Sequence, residues 1–190
     1  MECISVLRRD VAVKPTKLRR AGVIPAVVFG KAVPESISIQ LDEKTARRLI
    51  RTKREGSKLE LDIEGERIPV QIKEKRLNLL NHEIEHMSFQ TLTRGEKVNS
   101  VIHIILANDD KISGTLERML LEIPYASLPR DMIDTITVDL DGIKAGTIIT
   151  VQDIPELMSD KIELKVDPES IVLRISERKQ QKAQQEEAEE

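Results

Sequence analysis

The chain has 190 residues, 39% of them hydrophobic and 33% charged, enough apolar material for one large buried core or two small ones. Its single cysteine, Cys3, rules out an intrachain disulfide or a cysteine-built zinc cluster; no apolar run reaches the roughly 18 residues of a membrane span, and no apolar signal precedes Arg8 and Arg9, so a cytoplasmic protein is expected. The net charge of −3 conceals an asymmetry, with 14 Lys/Arg against 6 Asp/Glu up to Lys58 and 16 against 27 beyond it, so a polyanion is drawn to the N-terminal half alone.

Residues 3–8 alternate loosely and suit a first strand. Lys14-Pro15-Thr16 reads as a helix entrance leading to Lys17-Leu18-Arg19-Arg20-Ala21, with Gly22 at the helix end. Residues 24–29 form an apolar run that suits a buried strand, with Pro25 tolerable near its start or on an edge; in this run Phe29 is expected in the core. Ser36 to Leu41 alternates as another strand. Asp42 then caps a short helix to about Lys53, with Ala46, Leu49 and Ile50 on one face and Arg47, Arg48 and Arg51 solvated on the other. Residues 59–63 and 68–72 flank Glu64-Gly65-Glu66-Arg67 as a hairpin turning at Gly65. Short strands with two short helices suggest a small barrel or sandwich.

Polar residues and a glycine at Thr93-Arg94-Gly95-Glu96 mark a boundary. Beyond it, residues 101–106, 135–140, 147–151 and 170–175 are rich in β-branched types and separated by Pro and Gly. The expected fold is therefore mainly β: a small N-terminal β-barrel domain with short helices over residues 1–93, a second mostly β domain over 94–177, and a charged tail over 178–190. The tail is too poor in large apolar residues to order itself as a core.

Residues 82–86 read His-Glu-Ile-Glu-His, a formal match to the zinc-protease pattern in which a helix aims two histidines at one metal. A third ligand in a second motif is missing. As a strand the segment would hold its histidines about 13 Å apart, too far to share an ion. Strand alternation sends Ile84, His86 and Ser88 to one face and Met87 and Phe89 to the other. Nucleophile-elbow, dinucleotide and P-loop patterns are absent too, and neither an enzyme nor a cofactor is expected. Only two phenylalanines and one tyrosine, Phe29, Phe89 and Tyr125, are present, too few for rows of stacked bases, so charge and shape must dominate any nucleic-acid binding.

The run from Lys17 to Lys31, with Leu18-Arg19-Arg20-Ala21-Gly22 leading to Pro25-Ala26-Val27-Val28-Phe29-Gly30, resembles the signature of the bacterial large-subunit ribosomal protein twenty-five family, also called the Ctc or general stress protein family. Residues 84–89 are similar to the last strand of that family's N-terminal barrel. Residues 121–140 and 151–154 resemble the second domain of its longer, two-domain members, so the likeness spans about residues 1–177.

The resemblance implies binding to 5S ribosomal RNA, beside neighbouring large-subunit proteins, with no membrane or small-molecule substrate. It directs attention to Arg8, Arg9, Lys17, Arg19 and Arg20 as phosphate contacts, to His86 and Ser88 as readers of sugar hydroxyls or base edges, and to Phe29, Lys31 and Arg76 around them. Three positions depart from the family pattern: Phe29 stands for tyrosine, Ser88 for an acidic residue and Arg76 for glutamine. The alternative is a divergent stress-related paralogue that binds RNA weakly or without specificity and docks to proteins through its second domain.

Overall fold

A computed structural model describes residues 2–112 and 114–177. The expected tail, residues 178–190, lies outside the described residues. Among those described, no helix is long and apolar enough to cross a membrane.

The N-terminal half folds into a closed barrel of six strands: β1 (Cys3–Arg8), β2 (Val23–Phe29), β3 (Ile37–Asp42), β4 (Lys58–Ile63), β5 (Glu66–Leu77) and β6 (Ile84–Thr91). Their order around the barrel is β1-β3-β2-β6-β5-β4. The closing seam is parallel, Cys3↔Glu60 through Val6↔Ile63, and β2 runs parallel to β6 from Ala26↔Met87 to Phe29↔Gln90. Strict alternation in β4, from Leu59 through Leu61 to Ile63, aims every second side chain inward. These join Ile4, Val6, Val28, Ile39, Leu41, Val70, Ile72, Met87 and Phe89 in one core.

Two helices pack beside β2. Helix α1 (Pro15–Arg20) has Pro15 in its first turn, three cations near its C-terminus and no buried residue; so short a helix depends on its neighbours, and the Gly22 carbonyl accepts from Glu43 N at 3.0 Å where the second helix begins. Helix α2 (Glu43–Thr52) is capped by Asp42, which accepts from Thr45 N, and buries Ala46 and Leu49. Ile50 packs half-buried against the same core. Pro25 sits before the parallel ladder with β6 begins, where its missing N–H costs nothing.

The hairpin β4–β5 turns on two residues, Glu64 and Gly65, both at positive φ (55° and 97°), the combination a two-residue hairpin loop requires. Strand β5 runs on well past residue 72, and two bulges interrupt its pairing with β6. One falls between Ile72 and Glu74, the other between Arg76 and Leu77 opposite His86 and Ile84. Each inserts a residue that reverses the in-out alternation. Lys75 consequently pairs with core-facing Met87, and its ammonium donates to the Lys53 carbonyl at 2.8 Å beneath the end of α2; burial holds that ammonium below the ordinary lysine range, against the opposing pull of Glu55.

After residues 92–97 the chain builds a second unit of two sheets. One has the order β10 (Thr135–Asp139), β7 (Val98–Ala107), β9 (Glu122–Ser127), β12 (Ile162–Leu164); the other has β11 (Ile148–Thr150), β13 (Ile171–Ser176), β8 (Thr115–Arg118). Ile102, Ile123, Tyr125, Val151, Leu157 and Val172 form its core. The Tyr125 hydroxyl donates to the Ile133 carbonyl and accepts from Ile133 N, both at 2.9 Å, so the buried ring leaves no polar atom unpaired.

The two units are seated on one another. His103 Nε2 donates to the Glu55 carbonyl at 2.9 Å, and Lys58 Nζ donates to the Pro129 carbonyl at 3.2 Å. Leu92, Val98 and Met132 make a small apolar cluster at the junction. Gly56 (φ 85°) lies so close to β7 that an added Cβ would stand 2.6 Å from Ser100 Oγ and 2.9 Å from the Val101 carbonyl. Gly65 has nothing within 4 Å. Gly65→Ala is therefore expected to cost about 1 kcal/mol for its backbone conformation alone. Gly56→Ala should lose about 2–4 kcal/mol, because backbone overlap adds to that cost. Urea denaturation of the two variants side by side measures the difference.

Candidate nucleic-acid interface

Because the barrel interior is apolar, its polar strand residues face outward except at the barrel end, where Lys75 turns in beneath α2. On the outer surface Arg76 of β5 stands opposite His86 of β6, and Glu74 stands opposite Ser88. Val27 lies beside Ser88, Phe29 beside Gln90, and Gln40 of β3 sits between Pro25 and Leu7. The bulge before His86 decides this surface. It turns Ile84 into the core, whereas simple alternation placed Ile84 with His86; only His86 and Ser88 share the outer face.

The His86 ring lies near the Pro25 carbonyl, with Glu74, Arg76 and Arg9 close by. Partial burial is the largest influence and pulls its pKa below the ordinary histidine range; the Pro25 carbonyl and Glu74 oppose it, and Arg76 and Arg9 reinforce it. Arg9 extends from the end of β1, its backbone N–H donating to the Ser38 carbonyl at 2.9 Å and its Nη2 to the Val13 carbonyl at 2.9 Å. Arg76 contacts Glu74 at 3.1 Å with both side chains largely exposed, an ion pair worth at most about 1 kcal/mol and easily exchanged for a phosphate. Helix α1 leads into β2 at the same end, and its Lys17, Arg19 and Arg20 have no carboxylate partner among the described residues.

Not every candidate converges there. Arg8 turns to the far end of the barrel, where it meets Glu64 at 3.5 Å. Lys31 is paired with Glu96 of the connecting segment. Ser88 lies on the face but is only 8% exposed, so its hydroxyl is reachable and little else. Phe29 is not part of the core: it is half-exposed on the outer face, and the buried ring in its place is Phe89, because Val28 occupies the inward position. Arg47 and Arg48 are held by Glu43 and Glu2 in an open groove of about 1190 Å³ beside α2, whose lining reaches Leu77 and Ile84 but includes neither His86 nor Arg76. The helix that the His82-to-His86 zinc pattern needs is absent, since His82 sits in a loop at φ 54° and His86 in a strand.

Comparison with known proteins bears on this arrangement. The model of the ribosomal L25p family matches residues 4–89, and that of the ribosomal protein TL5 C-terminal domain matches residues 97–179. A protein of Corynebacterium glutamicum named large ribosomal subunit protein bL25 is 31% identical over 164 residues, covering 84% of this chain and 78% of its own length. The chain belongs to the ribosomal L25p family. A protein of the same name from Gloeothece citriformis is 28% identical over 97% of this chain and 95% of its own length, so the likeness to L25p proteins covers both units.

Sequence reasoning missed Gln40, Glu74 and Gln90 on this L25p barrel face. Gln40 and Gln90 each fall at a polar step of an alternating strand, a signal that was present; the place of Glu74 depends on a bulge and was not legible.

The depressed titration of His86 has a consequence for stability. A histidine whose folded-state pKa lies below its unfolded value favours folding while neutral, and that contribution is lost as pH falls from the ordinary histidine range through the folded value. Urea midpoints measured between pH 7.5 and pH 5 should accordingly fall less steeply for His86→Gln than for the unmodified chain. Equal slopes would show that protonation of His86 costs the fold nothing.

Proposed function

We propose that this chain binds 5S ribosomal RNA through the outer face of its barrel, as a structural constituent of the large ribosomal subunit rather than an enzyme. Membership of the ribosomal L25p family and relatives named as large-subunit proteins support the ribosomal assignment; such a protein works in the cytoplasm. The observation that carries the choice of surface is the pairing of Arg76 with His86 across β5 and β6, with Arg9 close by just past the end of β1 and the unpaired cations of α1 next to them.

The chemistry suits structured RNA. Regular A-form helices hide their base edges in a deep, narrow groove, so a protein recognises them by shape, 2′-hydroxyls and phosphates, or enters where irregular pairs widen the groove. A convex barrel wall fits against such a groove. Arg9, Lys17, Arg19, Arg20 and Arg76 are the phosphate ligands of this reading. His86, neutral at physiological pH, can both donate and accept at a sugar or base edge, and Phe29 offers one half-exposed ring. Lys31 and Arg8 stand at the margin, their charges already compensated. Residues 1–93 would carry the RNA and the second unit would meet neighbouring ribosomal proteins, with no cofactor or small-molecule substrate.

Titration of the full chain against 5S ribosomal RNA, with an unrelated hairpin RNA of equal length alongside, tests the reading. Selective binding is expected, weakening steeply with salt. Arg9→Ala and Arg76→Ala should each reduce affinity roughly tenfold or more, as loss of a charge-assisted contact does, and each should flatten the salt dependence by somewhat under one unit of logarithmic slope. Equal affinity for the two RNAs would instead mark a non-specific polycation of the stress-paralogue kind.

A further inference from the structure

Gln71 of β5 points outward from the barrel yet is fully buried, because β7 of the second unit lies over it. Its Nε2 donates to the backbone carbonyl of Asn99 at 3.0 Å and to Gln90 Oε1 at 2.9 Å. The first of these bonds settles the orientation of both amides. A backbone carbonyl can only accept, so the Gln71 nitrogen must be on that side, and the Gln90 group facing the same nitrogen must then be its oxygen. The NH₂ of Gln90 is left turned away from β5, on the half-exposed face where Gln90 pairs with Phe29, and it has no protein acceptor among the described residues.

The bond to Asn99 across the junction does not by itself account for the amide of Gln71. Its own Oε1 is buried without a hydrogen-bond partner among the described residues, a costly condition. Asn99 would keep a donor without it, since Lys73 Nζ also reaches that carbonyl at 3.1 Å. What Gln71 alone does is hold the amide of Gln90 in one of its two orientations.

We infer that Gln90 is an RNA contact that presents a fixed donor beside Phe29, and that Gln71, braced by the second unit through Asn99, is the residue that positions it. This rests on the reading of the barrel face as an RNA site and adds a role for the second unit within it. A free glutamine amide can turn either edge to a ligand. One locked as a donor favours acceptors, such as phosphate and 2′-hydroxyl oxygens or purine N7, and loses less freedom on binding.

The test is a double-mutant cycle in the full chain, read as affinity for 5S ribosomal RNA with the unrelated hairpin as control. Gln90→Ala and Gln71→Leu are each expected to weaken binding roughly three- to tenfold, and the double variant no further than Gln90→Ala alone. The side-chain ¹⁵NH₂ resonances of Gln90 in the free protein should shift in Gln71→Leu, a change that a purely structural role for Gln71 does not require. Gln71→Asn, which keeps the amide but is too short to span both acceptors, should reproduce the binding loss if Gln71→Leu fails to fold. Additive losses, or unchanged affinity in Gln71→Leu despite lowered stability, would overturn the positioning role. Selective binding by the unmodified chain with full affinity in Gln90→Ala would sink this inference alone; failure of the unmodified chain to prefer 5S RNA would sink the functional reading beneath it.

Discussion

A six-stranded sheet closes into a barrel only if its last edge finds its first, and here β1 meets β4 through in-register parallel pairs from Cys3↔Glu60 to Val6↔Ile63. Closure removes the open edges that would otherwise pair with other chains. It also divides every strand into two unequal faces. Positions deep in the barrel are apolar, as Leu59, Leu61, Val70 and Phe89 are, and a polar strand residue other than one at the barrel end, such as Lys75, is left for the outside. The interface is thus the complement of the core.

Within that constraint the two bulges of β5 and β6 set the chemistry. Without the first, Lys75 would face outward; with it, Lys75 goes under α2 to meet the Lys53 carbonyl and Arg76 goes out to stand opposite His86. The second keeps Ile84 in the core while freeing His86. Each bulge gives up regular ladder pairing at one residue and gains a re-aimed cation or imidazole, the usual reason such irregularities sit near binding surfaces.

The second unit takes a larger part in this surface than its acidic charge suggests. Its β7 lies against Gly56, accepts from Gln71 and Lys73 at Asn99, and donates from His103 to Glu55, so it braces the β5 side of the barrel wall. The connecting segment also supplies Glu96 to Lys31, removing one cation from the set available to a polyanion. A basic N-terminal half therefore does not translate into a uniformly basic surface. Unpaired cations are concentrated on α1, with Arg9 and the exposed, exchangeable Arg76–Glu74 pair at the same end.

Much of this was legible in the residues themselves. The caps at Asp42 and Gly22, the turn at Glu64-Gly65, the alternation of β4 and the apolar face of α2 are short-range facts, determined by backbone conformation and by which side chains can share one side of a helix or strand. The candidates Arg9, Arg76 and His86 were also visible as residue types, through the family resemblance. What only the tertiary structure decided was which of them meet. Phe29 and Phe89 are equally apolar, but one strand's phase put the first outside and the other's put the second inside. Lys75 and Arg76 are adjacent cations sent to opposite faces by a bulge that no local pattern announces, because the inserted residue is defined only against the strand it pairs with. Gln71 became buried solely because a second unit covers it, a contact made across 28 residues of chain. Periodicity describes a strand by itself; phase, register and cover belong to its neighbours.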